Sequence, residues 1–225
     1  MNGLHPRRMR RGVVATLTGG LTLLTLGALA PLSAQAAIAC TPAETITGTH
    51  DGAVNVAGGQ TLCLDNATQT GAVTVDPNGT LSVRGSTVNG SVSLFSGYTR
   101  FEFCGSKTVG GAISATGGTG TVLIGDTGRS GTNGLPDCAT NTVDGAVTLD
   151  ANQAGVTLAR NEIAAAVTAS GNLVGTKIVG NHIAGALTCT DNVPAPSNLG
   201  LLGVMAEPNV VGGQRSGQTC LDGGF

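Results

Sequence analysis

Apolar and polar residues alternate in short runs along this chain, with a period of two residues. One run recurs: a glycine or alanine, a small residue, an aliphatic residue, a polar residue and a second apolar residue, as in "GAVTV". Its copies begin at Gly52, Gly71, Gly90, Gly111, Gly145, Ala165 and Gly185. The copies are 19, 19, 21, 34, 20 and 20 residues apart, so the repeat unit has about 20 residues. A period of two predicts β-strands, and regular recurrence predicts stacked units.

Two more apolar elements follow each copy of the run. The first is an alternating strand with the residue pairs Leu62/Leu64, Leu81/Val83, Phe101/Phe103, Val122/Ile124, Val156/Leu158 and Thr176/Ile178. The second is a short element that supplies one inward residue per repeat: Val88, Val109, Val143, Ile163 or Ile183. Three short strands per repeat predict an all-β fold, a single-stranded parallel β-helix (solenoid) of about seven coils. The unequal strand lengths favour the right-handed form.

The first 36 residues have the order of a secretory signal. Arginines at 7, 8, 10 and 11 precede the apolar run Gly12–Leu32, and the small-residue triplet Ala34–Ala36 follows. This order predicts cleavage and export, so the mature chain is expected outside the cell or at the cell wall. We expect an N-terminal cap over residues 37–51, the β-helix over 52–190 with an inserted loop at 125–139, and a C-terminal cap or tail over 191–225.

Charge limits the partners of the mature chain. Removal of residues 1–36 takes four arginines away and leaves seven basic against 13 acidic residues, a net charge near −6. Nucleic acids and anionic membranes are therefore poor candidates, because both require clustered cations. A cell-wall or extracellular polysaccharide, or a second copy of the chain, stays open as a partner.

Six cysteines lie in the predicted mature chain, and an even number in an exported protein predicts disulfides. We expect sequential pairing: Cys40–Cys63, Cys104–Cys138 and Cys189–Cys220. Cys63 is expected on the outer face of the first coil, and Cys189 in an inward column at the end of the stack. The pairs would staple the two ends of the solenoid. The chain has no C-x-x-C and no Cys/His cluster, so neither a metal nor another cofactor is expected.

Catalytic constellations are absent from the sequence pattern. Asp76 and Asp150 share a column, but three coils of separation put them about 14 Å apart. Paired glycosidase carboxylates are about 5 to 10 Å apart. The histidines of the mature chain, His50 and His182, belong to opposite ends of the stack and fit exposed corners. The sequence therefore predicts a protein that is not an enzyme.

Two rows of like residues recur at fixed positions. Asn141, Asn161 and Asn181 predict a ladder of asparagines at coil corners. On the strand of the repeated run, the outward residue is Asn55, Thr74, Ser93, Ser114, Thr148, Thr168 or Thr188, preceded two residues earlier by a row of alanines with one serine. This uncharged strip suits stacking on ice, on crystalline polysaccharide or on another copy. It also fits a scaffold alone, since threonine favours strands and alanine fits a crowded turn.

The C-terminal part resembles a group of uncharacterised secreted proteins of actinomycete-type bacteria. The likeness rests on an N-x-I-x-G-x-L-x-C-x-x-N-x-P-x-P segment and a closing cysteine, here Asn181, Ile183, Gly185, Leu187, Cys189, Asn192, Pro194, Pro196, Gln218 and Cys220. It implies export and a coil followed by a cap, and it offers no established activity or catalytic residues to carry over to this chain. A looser likeness to bactofilin-like polymer-forming proteins exists, but those are cytosolic and lack disulfide caps.

Together these patterns predict a secreted, non-enzymatic structural or interaction protein of the cell surface or extracellular space. The main alternative is a carbohydrate-binding or carbohydrate-cleaving β-helix, with the insertion at Gly125–Ala139 as the edge of a substrate groove. A third is an ice- or polymer-stacking surface on the threonine and serine row.

Overall fold

The computed structural model describes residues 38–126, 138–199 and 207–225. It confirms the predicted fold class: the protein is all-β, and its strands stack in parallel as a solenoid of about seven coils with three disulfides. The predicted signal segment, residues 1–36, lies outside the described residues. So do residues 127–137 of the predicted inserted loop and residues 200–206 of the predicted C-terminal tail.

The strands of the repeated run form one parallel sheet of eight strands, here called the eight-stranded sheet. Seven of them correspond to the seven copies of the run, and a two-residue strand adds a partial coil at the C-terminal end. In order across the sheet they are β2 (Val54–Val56), β4 (Val73–Val75), β7 (Val92–Leu94), β10 (Ile113–Thr116), β13 (Val147–Asp150), β16 (Val167–Ser170), β19 (Leu187–Thr190) and β21 (Arg215–Ser216).

The other strands form a parallel sheet of thirteen strands, the thirteen-stranded sheet. Strand β3 (Thr61–Gln69) pairs with β1 (Thr45–His50), and it is long enough to belong to both of the remaining faces of the first coil. On one face follow β5 (Thr80–Arg84), β8 (Arg100–Cys104), β11 (Val122–Gly125), β14 (Val156–Ala159) and β17 (Thr176–Val179). On the other follow β6 (Thr87–Val88), β9 (Lys107–Thr108), β12 (Thr142–Val143), β15 (Glu162–Ile163), β18 (His182–Ile183) and β20 (Val210–Val211). Short 3₁₀ helices cover Pro42–Glu44 and Gln218–Leu221.

The core is a set of columns that run from coil to coil, because like positions of neighbouring coils pair in register. The predicted inward column of the eight-stranded sheet is confirmed, and all its members are buried: Val56, Val75, Leu94, Ala115, Leu149, Ala169 and Cys189. The strands β5 to β17 contribute a second pair of columns that includes Phe101 and Phe103. Period-two alternation therefore places every second side chain inside a narrow continuous core.

One predicted core residue is wrong. Val109 is 41% exposed, and its neighbour Thr108 occupies the inward position, in register with Val88 and Val143. The Thr108 hydroxyl donates to the carbonyl of Gly111 at 2.9 Å and accepts from the amide of Asp144 at 3.2 Å. These two bonds satisfy the buried hydroxyl, so threonine is accepted in a column of aliphatic residues.

At Gly111 and Gly145, the close approach of neighbouring coils requires a glycine at the start of the repeated run. A Cβ on Gly111 would lie 1.9 Å from the carbonyl oxygen of Gly90 in the preceding coil, and one on Gly145 would lie 2.5 Å from that of Gly111. Contacts this short between a Cβ and backbone require the backbone to move. The run therefore begins with glycine where the stacked turns touch.

Buried asparagines form two ladders at coil corners. The predicted ladder of Asn141, Asn161 and Asn181 is confirmed and continues to Asn209, each Nδ2 donating to the Oδ1 of the next at 2.8 to 2.9 Å. The second ladder was not predicted and consists of Asn152, Asn172, Asn192 and Gln218, with the same bonds at 2.8 to 2.9 Å. Each asparagine also binds backbone groups that the turn leaves unpaired, as Asn161 does with Ile124 at 3.1 Å.

The outer face of the thirteen-stranded sheet is covered near its N-terminal end. Cys63 does face outward, as predicted, but it is only 1% exposed because its disulfide partner Cys40 lies against it. Ser82 and Glu102 follow Cys63 in the same outward column, and both are fully buried. The chain from residue 38 to β1 therefore packs on this face.

Candidate interaction face

A row of small polar side chains runs along the outward face of the eight-stranded sheet. The strand pairings place its members directly opposite one another, as the sequence predicts, and Ser216 of β21 extends the row. We call this the hydroxyl row: Asn55, Thr74, Ser93, Ser114, Thr148, Thr168, Thr188 and Ser216. Neighbouring members of a parallel sheet are about 4.8 Å apart, so the row is a periodic array.

The hydroxyl row is accessible from solvent. Asn55 is exposed, and the other members are half-buried. In the part of the chain that the structure describes, side-chain hydrogen bonds within the row occur only at its ends: Thr74 donates to Asn55 at 2.7 Å, and Thr188 and Ser216 share a bond of 2.9 Å. The hydroxyls of the four central members face water and can bind an external partner.

Small residues flank the hydroxyl row on one side. They are Ala53, Ala72, Ser91, Ala112, Ala146, Ala166 and Ala186, and all except Ala53 are half-buried. Because their side chains end at Cβ or at one hydroxyl, they leave the hydroxyl row unobstructed on that side. The two rows together carry no charge.

A third row lies on the same face, and the sequence pattern placed only two of its members, Asp76 and Asp150, in one column. It lies two residues beyond the hydroxyl row and contains Asp76, Phe95, Thr116, Asp150, Ser170 and Thr190. Asp76 accepts a bond of 2.9 Å from Asn55, and Phe95 is 52% exposed. Fixed spacing from the repeated run could have revealed it, but its mixed chemistry hides the pattern. This side of the face is acidic in part.

The carboxylates of this face do not form a catalytic pair. Asp76 lies three coils from Asp150, about 14 Å at the usual strand spacing. This exceeds the separation of about 5 to 10 Å found in glycosidases. Within residues 38–126, 138–199 and 207–225, no three His, Cys, Asp or Glu side chains are grouped as metal ligands would be.

The two histidines occupy separate ends of the solenoid, as the sequence predicts. His182 is 60% exposed and its Nδ1 lies 2.8 Å from a carboxylate oxygen of Glu162, the residue opposite it in the preceding coil. His50 contacts the Oε1 of Gln69 through Nδ1 at 3.0 Å. Each contact is local to one corner of a coil.

The three disulfides join the cysteines in the expected sequential pairs: Cys40–Cys63, Cys104–Cys138 and Cys189–Cys220. No cysteine of the described residues is left free. The first pair ties the N-terminal segment to the first coil. The last has both members fully buried, because it closes the core at the C-terminal end. Disulfides of this kind are typical of oxidising compartments.

No protein family, curated protein or solved structure matches this chain. The resemblance of the C-terminal segment to secreted actinomycete-type proteins therefore stays a prediction. None of the described residues belongs to a helix of the length and apolar character needed to cross a membrane.

Proposed function

We propose that this chain is an exported, non-enzymatic structural or interaction protein of the cell surface or extracellular space, and that the hydroxyl row is its contact surface. The observation that carries the proposal is the alignment of eight small polar side chains in register on one sheet face. Folding alone requires the inward columns, whereas the outward position tolerates most residues. Every coil nevertheless presents a hydroxyl or amide there.

The chemistry of the face favours a polysaccharide as partner. Protein interfaces rely on buried aromatic or arginine anchors, and the hydroxyl row and its alanine row contain neither. A polysaccharide chain instead offers hydroxyl groups at regular intervals, which pair with a periodic row of hydroxyls. The parallel sheet holds this row rigid, so binding orders few side chains and costs little conformational entropy.

Charge introduced into the hydroxyl row should weaken binding. We expect the triple substitution Thr148→Lys, Thr168→Lys and Thr188→Lys to weaken adsorption of the purified exported chain to insoluble cell-wall polysaccharide by at least about tenfold. Three lost hydrogen bonds at about 0.5 to 1.5 kcal/mol each give at least this factor. Adsorption isotherms measure it, and circular dichroism and thermal unfolding verify the fold.

A matched control uses three consecutive coils on another face. Thr142, Glu162 and His182 are exposed, lie opposite one another on β12, β15 and β18, and can also be replaced by lysine. This triple variant should adsorb as the unmodified chain does. Equal adsorption by both triple variants would contradict the proposal. A different outcome would assign the hydroxyl row to self-association: the unmodified chain forms a dimer in sedimentation analysis, the hydroxyl-row variant does not, and neither of the two adsorbs to polysaccharide.

A further inference from the structure

A pocket of about 440 Å³ lies between the N-terminal segment and the first two coils, on the outer face of the thirteen-stranded sheet. The Cys40–Cys63 disulfide forms one wall. Its polar lining consists of Thr45, Thr47, Asp65, Ser82 and Arg84. Sites for small ligands typically have volumes of about 300 to 1,000 Å³. The pocket therefore has the size for a compact polar molecule.

Ser82 supplies the first sign that this pocket is built for a ligand. The residue is fully buried, and its Oγ has no hydrogen-bond partner within the described structure. A buried hydroxyl without a partner is costly and therefore rare in folded proteins. A ligand in the pocket that Ser82 lines would give this hydroxyl its missing bond.

Arg84 supplies the second sign, because hydrogen bonds to other protein groups hold its guanidinium in place. Its Nε donates to Oε1 of the fully buried Glu102 at 2.7 Å, and its Nη2 donates to the carbonyl of Ile38 at 3.2 Å. Among the described residues, Nη1 has no partner. A guanidinium fixed in this way is ready to bind a carboxylate without further ordering.

Asp65 completes the polar lining on the exposed rim. It pairs with Arg84 in the strand register, and one of its oxygens accepts a bond of 2.9 Å from Asn66. The other acceptor positions of its carboxylate suit donor groups such as ligand hydroxyls. An ammonium group at this exposed rim would stay hydrated, so hydroxyls are the better match.

The net charge around the pocket is small. Burial lowers the pKa of the nearby Arg100. The charge of Glu102 opposes that effect and the charge of Arg84 adds to it, so the two guanidinium groups and Glu102 interact electrostatically. With Asp65 included, two positive and two negative groups balance. Recognition at this pocket therefore depends on directed hydrogen bonds rather than on a strong field.

We propose that this pocket binds a hydroxylated carboxylate of monosaccharide size, a hexuronic acid residue. Arg84 donates to the carboxylate of the ligand, Ser82 bonds an adjacent oxygen, and Asp65 accepts from ring hydroxyls. The pocket lies on a different sheet from the hydroxyl row. Failure of one site therefore leaves the other untouched.

The test measures binding of D-glucuronate to the purified exported chain by titration calorimetry, with D-glucose and L-alanine as controls. We expect saturable binding of D-glucuronate and at least about tenfold weaker binding of both controls, because neither offers a carboxylate together with ring hydroxyls. Ser82→Ala should weaken binding about 3- to 10-fold, the effect of one hydrogen bond. Asp65→Ala, on the exposed rim, should give a loss of similar size.

Thr176→Val is the matched control. Thr176 is the other residue whose buried hydroxyl lacks a partner in the described structure, and it lies inside the core four coils beyond the pocket. Its substitution should leave D-glucuronate binding unchanged, and neither hydroxyl deletion should lower the unfolding temperature. Absence of saturable binding, equal binding of D-glucose or L-alanine, or an equal loss in Thr176→Val would overturn the proposal.

Discussion

At each corner of a coil, a buried asparagine side chain makes the hydrogen bonds that the backbone groups of the turn do not make with one another. Where a coil turns, amide and carbonyl groups point away from the strand ladders and need other partners. Asn161 binds the carbonyl of Ile124 and accepts from the side chain of Asn141, while its own amide N–H donates to Asn181. An apolar residue at this corner would leave several buried groups unpaired.

The one tyrosine of the chain is also buried, and it should make the free energy of unfolding depend on pH in the alkaline range. Tyr98 is fully buried, its hydroxyl donates to Asn152 at 2.6 Å, and burial raises its pKa above the ordinary value of 10.0. Below about pH 10 both the folded and unfolded states keep the proton. Above it only the unfolded state loses the proton, so the free energy of unfolding falls by about 1.4 kcal/mol per pH unit.

Denaturant unfolding at a series of alkaline pH values measures this slope, and Tyr98→Phe should reduce it by the same amount. Because no other tyrosine is present, tyrosinate absorbance reports on Tyr98 directly. It should appear only when the protein unfolds. Tyrosinate absorbance that grows near pH 10 while the protein stays folded would show that Tyr98 is not buried as described.

At the scale of the strand, Thr108 and Val109 of the third coil offer a direct comparison. We expect Thr108→Val to lower the free energy of unfolding by about 1 to 3 kcal/mol, because the carbonyl of Gly111 and the amide of Asp144 lose a buried partner. Val109→Thr should change it by less than about 0.5 kcal/mol, since Val109 is exposed. Thermal and urea unfolding of both variants measure the difference, and the opposite ranking would place Val109 in the core.

The strands were predictable from the sequence because each inward column is built from aliphatic residues at a fixed step. Thr108 broke the prediction since hydropathy ranks valine above threonine and cannot see the two hydrogen bonds that satisfy the hydroxyl. The ladder from Asn152 to Asn192 has the same step of 20 residues as the ladder that was predicted, so its signal was present in the sequence. Polar residues at an apparent turn suggest solvent, and this obscured their burial.

The hydroxyl row was predictable for the same reason as the core, namely a fixed place in the repeated run. The pocket was not, because it depends on where the chain from residue 38 to β1 lies. Only the structure shows that this segment covers Ser82 and Glu102. No periodicity relates the segment to the coils, and Arg84 reads in sequence as an ordinary strand end.

At the scale of the whole molecule, the ends of the stack decide its stability. Removing the last disulfide by Cys189→Ala and Cys220→Ala should cost about 2 to 5 kcal/mol. In a solenoid each coil contacts mainly its neighbours, so the loss should appear first at β19 and β21. Hydrogen exchange resolved by peptide should show faster exchange there and unchanged protection at β7 and β8.

The pair Cys104→Ala and Cys138→Ala serves as the control, because it removes a disulfide away from the C-terminal end. Its effect on exchange should centre on β8 and leave β19 and β21 protected. Equally faster hydrogen exchange in all coils of both variants would show that the solenoid unfolds as one unit rather than from its ends.

Both asparagine ladders have the same polarity. Within each ladder, every asparagine Nδ2 donates to the side chain one coil closer to the C-terminus. At the C-terminal end, Asn209 donates to the carbonyl of Phe225, and Gln218 donates to that of Asn192. The side-chain amides of each ladder therefore all point in the same direction along the stack. If residues 151–170 were duplicated in tandem, the asparagines of the new coil would accept hydrogen bonds from the coil before it and donate to the coil after it. Every bond of both ladders would then be made. The protein can thus lengthen in evolution or by engineering in whole steps of one coil, while its two ends stay as they are.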